Sequence, residues 1–324
     1  MKHKLKLSAI AGLFLLNACS SDSEDLMGNW IKRSDFEGLA RGSAVTFTIG
    51  DKAYVGTGYD GDDRLKDFWE YDSDLDFWKQ KADLPGTGRS AAVAFATGEK
   101  GYVGTGYDGD DELSDFWEYD PTANTWQRKA DFAGGARYDA VAFGIGDKGY
   151  IGTGYDGNDL KDFWEYDPAT DQWNQIVSIG GSKRRGAVAF VMNDEAYVLT
   201  GKNNGVYLED FYKFNPTEGT WTKLKDLDED DEEDLLRANA VAFTMEGKAY
   251  LTAGTYGYLK VDTWEYHPSS DTWVEKTEFE GSAREDAVAF TLNNKGYVVT
   301  GRAVETRFDD IWELNPNMEE DEDD

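Results

Sequence analysis

Residues 101–126 read GYVGTGYDGDDELSDFWEYDPTANTW, and the chain says nearly the same thing on either side. From Ala53 to Trp78 it reads AYVGTGYDGDDRLKDFWEYDSDLDFW. From Gly149 to Trp173 it reads GYIGTGYDGNDLKDFWEYDPATDQW. A unit repeating every 20–50 residues or so marks an array whose units bury their apolar faces only against their neighbours. The repeat therefore decides the fold before any single residue does.

Working outward, four landmarks recur. An arginine stands three residues before an Ala-Val pair, at Arg41, Arg89, Arg137, Arg184, Arg237 and Arg284. A tyrosine follows a small residue at Tyr54, Tyr102, Tyr150, Tyr197, Tyr250 and Tyr297. An aspartate precedes an aromatic by two at Asp67, Asp115, Asp162, Asp210, Asp262 and Asp310. A tryptophan closes the unit at Trp78, Trp126, Trp173, Trp221 and Trp273. The arginines step by 48, 48, 47, 53 and 47 residues, which makes six units. The sixth unit has no closing tryptophan after it. Trp30, however, lies in GNWIKRSDF, a segment of the same kind as NTWQRKADF around Trp126. The N-terminal segment is thus expected to supply the last strand of the sixth unit, joining the two ends of the chain and leaving no open sheet edge.

Inside each unit, Val, Phe and Tyr alternate between Gly, Asp and Asn turn signals, and no helical period is sustained. The Ala-Val-Ala-Phe pattern puts small residues on one face, which suits crowding at a central axis. With these residues on the page, the unit resembles the kelch repeat, a four-stranded blade with paired glycines, an aromatic and a trailing tryptophan. The resemblance covers about residues 27–316. It implies an all-β, six-bladed kelch-type β-propeller, its ring closed by the strand around Trp30. One departure stands out: the glycine doublet is written Gly-Thr-Gly, as in Gly56-Thr57-Gly58. A fold of this kind hosts many activities, so the resemblance bears on architecture and little on function.

The ends of the chain suggest an address. Residues 1–18 carry three lysines and then an apolar run from Leu7 to Leu16, too short to span a bilayer. Leu16-Asn17-Ala18-Cys19 follows, with the chain's single cysteine where cleavage would fall. This looks like a bacterial lipoprotein signal, which makes Cys19 the expected lipidation site. The protein would then be lipid-anchored at the outer membrane, facing either the cell surface or the periplasm, and would touch the membrane through its acyl chains only. Residues 19–26 read as an acidic tether that favours surface exposure. Residues 27–316 form the propeller, expected as a monomeric domain. Residues 317–324 are expected to be an acidic disordered tail.

The formal net charge is −31. That argues against nucleic acid as a partner. The acidic insert Asp226–Asp234 reads as a solvated loop, without the glycine and terminal glutamate of an EF-hand. The repeated Asp-Gly-Asp-Asp, as at Asp60–Asp63 and Asp108–Asp111, is first a turn signal. Its oxygens are also of the kind calcium takes, so calcium is the one cofactor left open. His3 lies in the leader, which leaves His267 as the single histidine of the propeller. No Ser-His or Cys-His pair and no histidine-rich metal site can be assembled from that supply. Galactose oxidase shares the kelch blade, but its copper chemistry needs histidines and a cysteine that are missing here.

Strands in such a blade run up, down, up, down. The arginines, the YDGDD loops and the aspartates therefore gather on one face. The equal numbers of arginine and aspartate suggest pairing within or between blades. The other reading has some of the six arginines (Arg41, Arg89, Arg137, Arg184, Arg237, Arg284) facing the central opening to bind an acidic group, as in kelch proteins that bind acidic peptides. The loops of the first three units are near copies, whereas those of the last three have drifted, which directs attention to Lys202, Asn203, Tyr256, Tyr258 and Arg302. The reading reached is a non-enzymatic binding or scaffold module, with a carbohydrate or a protein as ligand. The alternative is a sugar-acting enzyme similar in plan to the kelch mutarotase of sialic acid, although no catalytic residue can be singled out.

Overall fold

Each repeat folds as one meander of four antiparallel strands. The computed structural model describes residues 26–228 and 235–319; the leader, Cys19, all but the end of the tether, much of the acidic insert and the last five residues lie outside them. From the axis outward, the first blade is Val45–Ile49, Lys52–Gly56, Phe68–Asp72 and Phe77–Lys81. The next four blades repeat this order, with inner strands Val93–Thr97, Val141–Ile145, Val188–Met192 and Val241–Met245.

The sixth blade mixes the two ends of the chain. Its order is Val288–Leu292, Lys295–Val299, Ile311–Glu319 and then Met27–Lys32. Trp30 lies opposite Leu314 and is fully buried. Its ring meets Phe279 edge-on at 4.9 Å and Phe243 at 6.2 Å. The ring is closed as the tryptophan spacing implied. The tail, by contrast, starts later than expected. The strand does not stop at Pro316 but runs to Glu319, because Met27 pairs with Glu319 beyond a bulge at Met27/Asn29.

Two contacts, written six times, build the core. The inner-strand phenylalanine stacks on the tyrosine directly opposite it, from Phe47 on Tyr54 (5.2 Å) to Phe190 on Tyr197 (4.9 Å) and Phe290 on Tyr297 (5.3 Å). Such cross-strand aromatic pairs each add up to ~1 kcal/mol. The same phenylalanine then reaches the next blade, where a small residue receives it. A Cβ added to Gly101, Gly149 or Gly296 would collide with the ring of Phe47, Phe95 or Phe243. This explains the small residue before each repeated tyrosine.

The Gly-Thr-Gly departure leaves the turn intact at a conformational cost. Thr57, Thr105, Thr153, Thr200 and Thr300 take φ of 58, 59, 61, 62 and 63°, and Ala253 takes 59° in the fifth blade. That left-handed region is unusual for a β-branched residue. All five threonines are fully buried, and their hydroxyls have no hydrogen-bond partner.

Candidate functional site

One face of the ring collects the ends of the inner strands and the long loops between second and third strands. The six repeated arginines lie here, and all are 0–1% exposed. Each reaches the repeated aspartate of its own blade. Arg41 holds Asp67 through Nη1–Oδ1 at 2.6 Å and Nη2–Oδ2 at 2.8 Å. Arg89–Asp115, Arg137–Asp162 and Arg284–Asp310 repeat the two-pronged pair. Arg184 and Arg237 reach Asp210 and Asp262 through Nη2. Nη1 also donates to the carbonyl of the left-handed residue, at 2.9 Å for Thr57 and 3.0 Å for Thr105. Burial works against the charge of Asp67, but Arg41 and the indole N–H of Trp69 hold its carboxyl below the usual range.

These contacts overturn the reading of Arg41, Arg89, Arg137, Arg184, Arg237 and Arg284 as ligand-binding residues. Their guanidiniums are buried and donate to acceptors of their own blade; of the six Nε groups, that of Arg184 alone is buried without a partner among the described residues.

The opening itself is framed two residues further on. Ser43, Ala91, Asp139, Gly186, Asn239 and Asp286 stand one per blade, all with φ between 51 and 60°. The N–H of each donates to the carbonyl of the preceding blade's residue: Ala91 to Ser43 (2.9 Å), Asp139 to Ala91 (3.1 Å), Gly186 to Asp139 (3.1 Å), Asn239 to Gly186 (2.9 Å), Asp286 to Asn239 (3.0 Å) and Ser43 to Asp286 (2.8 Å). Six backbone hydrogen bonds thus close a collar around the axis. Beneath it the channel is walled by the alanine faces of the inner strands, such as Ala92, Ala94, Ala140 and Ala142.

The collar is symmetric in its backbone and not in its side chains. Asp286 is held by Arg302, whose Nε lies 2.6 Å from it and whose Nη2 lies 2.7 Å from Glu285. Asp139, three blades away, has no such partner among the described residues. It keeps a little contact with channel solvent but is surrounded by protein. Burial pushes its carboxyl up to about 7; Asp286 and Glu285 add to the rise, and Arg185 and Arg302 oppose it.

Above the collar the side chains form a stacked belt. Arg307 lies over Tyr59 at 5.5 Å and Arg64 over Tyr59 at 5.0 Å. Arg64 also lies over Tyr107 at 4.8 Å. Tyr107 meets Tyr138 at 5.5 Å, Tyr138 meets Tyr155 at 5.4 Å, and Arg185 covers Tyr155 at 4.2 Å. The repeated YDG tyrosines therefore carry guanidiniums on their rings. On the other side of the mouth, Lys202 lies 4.5 Å from the ring of Tyr207, which meets Tyr256 at 4.7 Å. Lys202 and Arg302 each open a two-stranded hairpin, Lys202–Asn203 with Val206–Tyr207 and Arg302–Ala303 with Thr306–Arg307. Tyr258 is 61% exposed.

The Asp-Gly loops act as turns. Asp60 Oδ1 accepts the N–H groups of Asp62 and Asp63 at 2.8 and 2.7 Å, and Asp108 repeats this with Asp110 and Asp111. Among the described residues no three His, Cys, Asp or Glu side chains form a metal-holding group. His267 ends the strand Thr263–His267 and lies 2.8 Å from Glu265, at the opposite end from Asp262 and away from the mouth. Sequence reasoning passed over two sets of residues. The collar shares a conformation and no residue type. The glutamate of the repeated FWEYD accepts the core tyrosine hydroxyl, as Glu70 does from Tyr54 at 2.8 Å and Glu118 from Tyr102 at 2.9 Å, and its recurrence was there to be read.

Comparison with known proteins agrees with this geometry. The sequence model of the Kelch motif matches residues 183–227, the fourth repeat. Among solved structures, that of YjhT is similar with a TM-score of 0.74 and 17% identity, over 86% of this chain and 96% of that one. At that identity the likeness concerns the fold. No curated protein sequence matches the chain.

Proposed function

We propose that this kelch-type six-bladed propeller is a non-enzymatic binding module that takes its ligand, a carbohydrate or a protein, at the collar and belt on its loop face. The observation that carries this reading is where the sixfold repeat breaks down. The Arg–Asp ties and the Phe–Tyr stacks are nearly the same in every blade, whereas the collar position is a different residue type in almost every one. Recognition needs an asymmetric set of groups on a rigid support, and the mouth is where this molecule has one. The leader and Cys19 support a lipid-anchored protein at the outer membrane, which would present this face to ligands outside the cytoplasm.

The test is thermal unfolding of the chain against panels of oligosaccharides and of envelope protein fractions, with Lys202→Ala and Tyr256→Ala as mouth variants. A ligand bound only by the folded form at a hundredfold excess over Kd adds about 2.7 kcal/mol and raises the midpoint. The expected result is a midpoint shift that the mouth variants lose while keeping their unliganded midpoint. Ligand capture that survives both variants and is lost instead on altering the opposite face would remove the mouth from the proposal.

A further inference from the structure

The repeated arginines are consumed within the blades, yet other cations stand at the mouth without carboxylate partners. Arg64 makes no hydrogen bond and has no carboxylate within 4 Å among the described residues, and its Nε is buried without a partner. Arg307 donates Nη1 only to the carbonyls of Val304 and Thr306, at 3.1 and 3.3 Å, and its Nε is likewise buried and unpartnered. The sequence has 64 acidic residues against 33 basic ones, so an arginine left without an acid is the exception that needs a reason.

The two guanidiniums share one support. Both lie against the ring of Tyr59, and Arg64 also lies against Tyr107. The Tyr59 hydroxyl is itself fixed to the carbonyl of Gly61, and that of Tyr107 to Gly109 at 2.6 Å. Gly109, at φ 114°, lets Arg64 lie close under the second blade's loop, since a Cβ there would press on its Nη1. Stacking holds a guanidinium in place while leaving its in-plane N–H groups free, and those groups match an oxyanion in geometry and charge. Asp108, whose carboxyl feels the charge of Arg64, is already satisfied by the amides of Asp111 and Asp110. Covering of the tyrosine rings by arginine also argues against a neutral sugar lying flat on Tyr59 or Tyr107.

We propose that Arg64 and Arg307, held against Tyr59 at the blade one–blade six side of the mouth, form a binding site for an oxyanion group, a carboxylate or sulfate carried by the ligand. This rests on the mouth being the ligand face and specifies the chemistry it selects. An acidic sugar and an acidic peptide would present the same group, and the experiment separates them.

The experiment is calorimetric titration of the full chain at constant ionic strength with four probes: sodium sulfate, an oligogalacturonate, a neutral oligosaccharide of the same length and a glutamate-rich peptide. Sodium chloride serves as the control for screening. The expected result is saturable binding of sulfate and of at least one of the two acidic ligands, weakened at least tenfold in R64Q/R307Q. If the double variant does not fold, R307Q alone carries the test, because Arg307 sits on a surface hairpin. Whichever acidic ligand binds more tightly identifies the source. Anion binding that the variants leave unchanged overturns the proposal, as does a response no greater than that to chloride. Binding of the neutral oligosaccharide alone also overturns it, while leaving the mouth as the ligand face.

Discussion

Asp139 offers the sharpest test of the collar. Replacing it with asparagine keeps the side chain's shape and suits its φ of 52°, since Asn239 occupies the same collar position in the fifth blade at 54°. The folded-state carboxyl titrates near 7 rather than at its ordinary 3.8. A raised folded-state pKa means that the folded form binds the proton more tightly than the unfolded chain does. Asp139 therefore carries no penalty below about pH 4, loses stability progressively as the pH rises towards 7, and costs a constant amount above about 8. At 1.36 kcal/mol per pKa unit the rise corresponds to about 4 kcal/mol, and screening by channel water reduces this to about 2 kcal/mol. The amide of the Asp139→Asn variant does not titrate. The variant should equal the wild type at pH 4 and exceed it by about 2 kcal/mol at pH 8, a midpoint higher by roughly 3 °C for a propeller of this size. Differential scanning calorimetry of both proteins from pH 4 to 8.5 reads this directly. The carboxylates held low elsewhere, Asp67 and Glu313 among them, act on both proteins and cancel in the difference. A difference that does not change with pH, or one that grows towards pH 4, would refute the reasoning.

Two further outcomes test the blade. Arg89→Ala leaves the Thr105 carbonyl without its side-chain donor and Asp115 with only the indole N–H of Trp117, and should cost about 3–5 kcal/mol in urea unfolding; Arg89→Lys should recover less than half, because one ammonium cannot bridge both carboxylate oxygens and the carbonyls of Thr105 and Thr87. Thr105→Gly relieves a left-handed β-branched residue and removes a buried hydroxyl that has no partner, so the same assay should show a gain of about 1 kcal/mol, and a loss would mean that the threonine methyl group's packing outweighs both terms.

What the sequence disclosed follows from how each contact is specified. The Phe47–Tyr54 stack and the Arg41–Asp67 pair depend on particular side chains, so each had to be written again in every repeat, and spacing alone revealed it. Trp30 was legible for the same reason: one copy of a repeated letter was missing at one end and present at the other. Equal numbers of arginine and aspartate pointed to pairing, but only geometry shows that each pair lies within one blade and buries its arginine. The collar was hidden because Ser43, Ala91, Asp139, Gly186, Asn239 and Asp286 are related by φ and by backbone bonding, neither of which has a letter. The repeated YDG of the loops gave no sign of what lies on its tyrosine rings. Their coverage by Arg64, Arg185 and Arg307 depends on contacts between blades that no single repeat contains.

The collar also explains how a ring of near copies can acquire specificity. Its structural work is done by an N–H, a carbonyl and a left-handed φ, and none of these requires a particular side chain beyond tolerance of that φ. Glycine, asparagine and aspartate tolerate it best, and four of the six residues are of these types. The side chain is then free to vary without disturbing the ring, and it projects into the one place where six blades converge. The Arg–Asp pairs are under the opposite constraint: changing either partner strands a buried charge, so they stay alike from blade to blade. Duplication of a blade therefore copies the framework faithfully and leaves the mouth as the region where change is least costly. A propeller assembled from repeats this similar would diversify at its axis first, and the third blade, otherwise a near copy of the second, already differs there by having Asp139 where its neighbour has Ala91.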